Sequence, residues 1–94
     1  MLLRIVRMEF HADKLDDFRH LFDEVQSKIS GFPGCQHVEM CTDPDLENVR
    51  YTFSKWDDQA ALDAYRHSEL FDETWRRTKV LFAGKPQAFS LIQG

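Results

Sequence analysis

Two ionisable side chains in the middle of this sequence could do chemistry together. His37 lies within CQHVEMCT and Arg50 within NVRYTFSKW, each in a strand-like run with apolar neighbours. A buried His or Arg needs a partner, and Glu39 stands two residues from His37, on the same face of a strand. An imidazole near its ordinary pKa suits a general base. A guanidinium on an adjacent strand suits an oxyanion formed by the proton's removal. His37 and Arg50 are therefore the candidate catalytic pair. The same pattern also fits a polar network inside an interface between two copies of the chain.

Large aromatic side chains could wall a binding pocket beside them. Trp56 closes a strand and either faces a substrate or locks that strand to the next helix. Tyr65 and Trp75 are ten residues apart, which on one unbroken helix leaves them about 80° from a common face. A helix break near Ser68 would bring them closer. Tyr51 and His67, the latter at the break, complete the expected substrate-binding set. Asp57 and Asp58 read as caps for the N–H groups of a helix start, not as an acid–base pair. Cys35 and His37 would share one strand face about 6.6 Å apart, with Cys41 too distant to join them. No CxxC, HExxH or glycine-rich phosphate loop occurs, so neither a metal nor another cofactor is expected.

The elements that must hold these residues follow from apolar periodicity. Leu2 to Phe10 reads as a strand. Asp13 offers an N-cap to a helix whose stripe is Leu15, Phe18, Leu21/Phe22, Val25 and Ile29, with Gly31 at its end and Pro33 beyond. Cys35–Thr42 and Asn48–Trp56 form a hairpin around Asp43-Pro44-Asp45. Helix follows from the Asp57/Asp58 cap, breaks at His67-Ser68 and resumes to Gly84. Gln87 to Gln93 is a last strand. The order β-α-β-β-α-β predicts an α+β, ferredoxin-like fold with a four-stranded antiparallel sheet and helices on one face. Both sheet faces carry apolar residues, so the bare one predicts a homodimer packed sheet against sheet about a two-fold axis.

Composition narrows the classes. The chain of 94 residues is expected to be one domain, 1–94. A net charge of −4 disfavours nucleic acid. Tyr51 and Phe53 alternate as RNA-stacking residues would, but the glycines of an RNA-recognition third strand are missing. Arg4 and Arg7 interrupt the apolar start, so no membrane segment is expected. Cys35 and Cys41 lie about 20 Å apart on one strand, too far to bridge, and two free thiols fit a cytoplasmic location.

With that order in place, SKWDDQAALDAYRHSELF resembles the signature of the antibiotic biosynthesis monooxygenase (ABM) domain family: strand, Trp, acidic cap, x-x-Ala-Leu, then Ser-x-x-Phe. Trp56, Asp57, Ala61, Leu62, Ser68 and Phe71 match it, and FPGC at Phe32 to Cys35 resembles the family's entry to strand two. The resemblance spans essentially the whole chain and implies a dimeric α/β barrel. It also implies a monooxygenase that uses O₂ on a small aromatic or quinol-like substrate without metal or flavin. A non-catalytic ligand-binding module of the same fold is the alternative. In that setting His37 would deprotonate a phenol or quinol and Arg50 would hold its oxyanion. The haem-degrading branch pairs an Asn on strand one with Trp and, ten residues on, His. Here strand one has no Asn, and Tyr65 and Trp75 stand at the other two places, so haem degradation is not expected. Thr52 stands where some oxidising members have Asn.

Overall fold

A computed structural model describes residues 1–94. Four strands, β1 (Leu2–Glu9), β2 (Cys35–Thr42), β3 (Val49–Trp56) and β4 (Gln87–Ile92), form one antiparallel sheet in the order β2-β3-β1-β4. Helices α1 (Leu15–Ser30), α2 (Gln59–Arg66) and α3 (Glu69–Lys79) cover one face. This is the ferredoxin-like α+β arrangement that the element order implies.

Alternation assigns the faces. Leu2, Arg4, Val6 and Met8 of β1 lie opposite Trp56, Ser54, Thr52 and Arg50 of β3. Leu2, Met8, Val38, Ser54 and Trp56 are buried, which marks this as the helix-covered face. The α1 stripe Phe18, Leu21, Phe22, Val25 and Ile29 packs onto it, fully buried along its length. Each such side chain contributes roughly 1.5–3 kcal/mol by leaving water. Phe10 is completely buried, stacking on Phe18 at 4.4 Å and meeting Phe82 at 5.5 Å. On the other face Leu3, Ile5, Phe53, Phe89 and Leu91 form adjoining cross-strand pairs, with Phe89 and Leu91 half exposed.

The helix joints follow local chemistry. Asp58 accepts the Ala61 N–H at 2.9 Å and starts α2; Ser68 accepts the Phe71 N–H at 3.1 Å and starts α3. Asp43 accepts the N–H groups of Asp45 and Leu46, both at 2.9 Å, and shapes the β2–β3 turn.

Three details depart from the periodic reading. A 3₁₀ turn, Ala12–Lys14, precedes α1, and no side chain caps either start. Asp13 therefore does not act as an N-cap, because Lys14 N–H already bonds the His11 carbonyl at 2.9 Å. Helix α3 ends at Lys79 rather than Gly84: Ala83 N–H bonds the Glu9 carbonyl at 2.8 Å and Phe82 bridges Phe10, so a strand-like tie replaces the last turn. The left-handed position belongs to Gly34 (φ 86°), whereas Gly31 keeps a right-handed φ of −86°. Gly34 occupies a turn closed by Cys35 N–H on the Phe32 carbonyl at 2.9 Å, with Pro33 before it, the type II pattern.

Candidate functional site

The covered face does not close completely. Between the sheet and the helices lies a cavity of about 290 Å³, at the small end of the ~300–1,000 Å³ range of small-molecule sites. Val6, Thr52, Ser54 and Ala88 line it from the sheet, and Phe18, Phe22 and Val25 from α1.

The opposite wall is a run of rings. Trp56 stacks on Tyr65 at 5.0 Å and 26°; Tyr65 meets the edge of Phe71 at 5.3 Å; Phe71 stacks on Trp75 at 5.9 Å and 9°. The break between α2 and α3 makes this possible, since it turns Trp75 toward the cavity that Tyr65 already lines. Trp56 donates its indole N–H to Ser54 Oγ at 2.9 Å, and both are buried. That bond fixes the ring and leaves its polar atom satisfied.

The ionisable groups lining the cavity are Arg4, Arg66 and Tyr65. Burial, with a smaller contribution from Cys35, raises the Tyr65 pKa well above that of an ordinary phenol. Tyr65 is therefore a neutral hydrogen-bond donor at physiological pH and not a base. Arg4 donates from Nη1 to Ser90 Oγ at 2.8 Å, and Arg66 closes α2. Burial, then the nearby positive charge of Arg66, lowers the Arg4 pKa from the usual arginine value. Arginine still stays charged at neutral pH.

The expected site residues divide among three places. Trp56, Tyr65 and Trp75 meet in the cavity. His37 lies on the uncovered sheet face, nearly half exposed, with Nε2 3.2 Å from Glu39 Oε1 and its ring 6.3 Å from Phe53. Arg50 has the opposite strand parity, and its guanidinium bonds the carbonyls of Glu47 and Val49 at 2.8 and 2.9 Å. The expected base–cation pair is thus split across the sheet. Tyr51 shares the uncovered face and donates to Asp43 Oδ2 at 2.9 Å. His67 is exposed, its Nδ1 2.7 Å from the Asp63 carbonyl. Cys35 and His37 do not share a face either, because a bulge at Gln36 shifts the register between them. Both cysteines are free thiols.

Arg4 and Arg66 are the residues that sequence reasoning missed. The signal for Arg4 was present: it has the parity of Leu2, Val6 and Met8, a cation set into a strand's apolar face. Arg66 carried less signal, since a basic residue ending a helix is ordinarily a solvated dipole partner.

Three comparisons place the chain among known proteins. The family model described as "Antibiotic biosynthesis monooxygenase" matches residues 1–77. A Natronomonas pharaonis protein named "putative heme-binding protein" is 29% identical over 75 residues, covering 80% of this chain. The match spans only 12% of that relative's length. A solved structure of an antibiotic biosynthesis monooxygenase superposes with TM-score 0.91 at 19% identity, covering 100% of this chain and 99% of that one. A conserved protein from Methanosarcina mazei Go1 gives 0.92 at 15%, covering 100% and 94%. A Mycobacterium tuberculosis protein gives 0.89 at 18%, covering 98% and 93%. No helix is long and apolar enough to cross a membrane.

Proposed function

Since the chain belongs to the antibiotic biosynthesis monooxygenase family, we propose that it is a cofactor-independent monooxygenase of a small aromatic or quinol-like substrate. The reaction would take place in the cavity between the sheet and α2–α3. The observation that carries this reading is the composition of the cavity wall: four stacked or edge-packed rings, two guanidiniums and one neutral phenol. Flat apolar rings complement that wall. The guanidiniums favour the aryloxide form of a phenolic substrate, so its acidity rises without a protein base. The aryloxide then supplies the electrons. Oxidation of an aryl-flanked CH₂ to C=O releases four electrons, enough to place one O₂ oxygen in the carbonyl and send the other out as water. Tyr65 can hydrogen-bond a developing oxygen charge.

A second reading, a ligand-binding module without catalysis, is favoured by one specific feature. No His, Asp, Glu, Lys or Cys lines the cavity. Oxygen uptake by chelator-treated protein with quinols, anthrones and naphthols separates the two. We expect saturable uptake that falls at least about tenfold in Trp75→Ala, from the lost stacking surface. It should survive the paired change His37→Ala and Arg50→Ala. Loss of uptake in that pair and in His37→Ala alone, with Trp75→Ala active, would move the site to the uncovered face. Binding without uptake across the panel would favour the module.

Haem does not fit the cavity's donor set. Haem iron is ordinarily held by His, Cys, Met or Tyr. No His or Cys lines the cavity, Met8 is almost wholly buried in the core, and Tyr65 resists the ionisation that ligation needs. The name carried by the Natronomonas relative therefore does not transfer to this site.

The homodimer reading is supported by Leu3, Ile5, Phe53, Phe89 and Leu91, which the chain's own helices leave uncovered. Packing two such faces about a two-fold axis would build the dimeric barrel. The mass in solution by light scattering tests this; a one-chain mass at micromolar concentration would remove it.

A further inference from the structure

We propose that Arg4 and Arg66 form an anion subsite at one end of the aromatic cavity, and that its ligand is an aromatic anion, an arylcarboxylate or aryloxide. The inference rests on the reading of that cavity as the substrate pocket and names the substrate's charge.

Arg4 and Arg66 both line the cavity, and neither forms an ion pair. Acidic residues outnumber Lys and Arg in this chain by 16 to 12, yet none of them lines this cavity. Arg7, Arg19 and Arg77 all find a carboxylate, on Glu9, Asp23 and Glu24. Arg4 instead reaches only the neutral hydroxyl of Ser90. Arg4 is partly buried and feels the positive charge of the exposed Arg66, and a bound anion would offset that repulsion. A guanidinium presents N–H donors in a planar fork suited to a carboxylate or aryloxide oxygen. The rest of the wall is aromatic and apolar, so the anion must be carried on a ring system. Free phosphate or a short aliphatic acid would leave those rings unpartnered.

The test uses the chain's own fluorescence, because Trp56 and Trp75 are its two tryptophans and both line the cavity. Titration compares 2-naphthoate with its neutral isostere 2-naphthamide. Naphthoate should bind at least about tenfold more tightly, and Arg4→Met with Arg66→Met should weaken it by about tenfold to a hundredfold. The amide should change by less than about threefold, since the methionines keep the apolar stems. Arg66→Met alone, at an exposed helix end, should remove part of the preference even if Arg4→Met folds poorly. Equal affinities in the unmodified protein, or a preference that survives both substitutions, would overturn the anion subsite while leaving the aromatic pocket standing. Failure of both ligands to bind would overturn the pocket and the subsite together.

Discussion

Replacing Gly34 by alanine should destabilise the protein by about 2–5 kcal/mol and loosen ligand binding at a cavity it does not line. Two costs add. A left-handed φ of 86° is open to glycine but costs an L-residue about 1–2 kcal/mol. The new methyl would also sit 2.4 Å from Ala61 Cβ, so backbone or helix must move, an overpacking cost of about 1–3 kcal/mol. The joint has little slack. Gly34 O accepts the Asp57 N–H at 2.8 Å, tying the turn to the end of β3, while Asp58 caps the helix that carries Ala61. Helix α2 carries Tyr65 and Arg66 four and five residues further on, so displacement at Ala61 reaches the ring wall and the cation. Denaturant midpoints measure the first effect and fluorescence titration the second. Adding Ala61→Gly should recover the steric part but not the φ part, at a helix cost of about 1 kcal/mol. A loss below about 1 kcal/mol for Gly34→Ala would show that α2 adjusts freely and that the joint does not set the cavity.

That joint explains the pattern that spans Phe32–Cys35 and Ser54–Phe71. Its proline, glycine, acidic cap and small Ala61 are what a tight strand–helix corner requires. Gly34 and Ala61 were legible only through the family resemblance, because their contact joins distant segments; the proline and the cap were legible from local chemistry. The α1 stripe was legible for the same reason: five buried apolar residues at steps of three and four admit one helix face. The misreadings share a different cause. Helix α3 stops at Lys79 because a backbone bond from Ala83 reaches Glu9, more than seventy residues earlier. The bulge at Gln36 likewise depends on how β2 pairs with β3. Neither can be seen along one segment.

The site followed the same division. Trp56, Tyr65 and Trp75 were readable as cavity walls from strand end, helix spacing and helix break. His37 and Arg50 were attractive as ionisable residues in apolar strands, yet strand alternation and a far-end hydrogen-bond network send them to different surroundings. Arg4 shows that parity was the better guide. A cation sharing the face of Leu2 and Met8, both 3% exposed or less, has to be explained by whatever that face encloses.

Replacing Trp56 by alanine should cost about 3–5 kcal/mol, yet the variant should be the one most stabilised by added indole. Trp56 is 1% exposed, lies opposite Leu2 on β1 and Cys35 on β2, and stacks on Tyr65. Its removal would join a large void to a cavity already present. The indole N–H bond to Ser54 would also vanish, leaving a buried hydroxyl short of its donor. Trp56→Phe keeps most of the ring and should cost only about 1–2 kcal/mol. An apolar cavity of defined shape can be refilled by a matching aromatic. Millimolar indole should therefore raise the melting temperature of Trp56→Ala by several degrees more than that of the unmodified protein. Such rescue would show that the surrounding wall, Tyr65 and the α1 face, keeps its shape without Trp56, and that Trp56 chiefly sets the cavity's size. Absence of rescue with the expected loss of stability would instead make Trp56 the piece that holds α2 against the sheet. The two outcomes point substrate-range engineering in opposite directions: rescue permits enlargement of the pocket at this position, and its absence confines changes to Trp75 and Thr52.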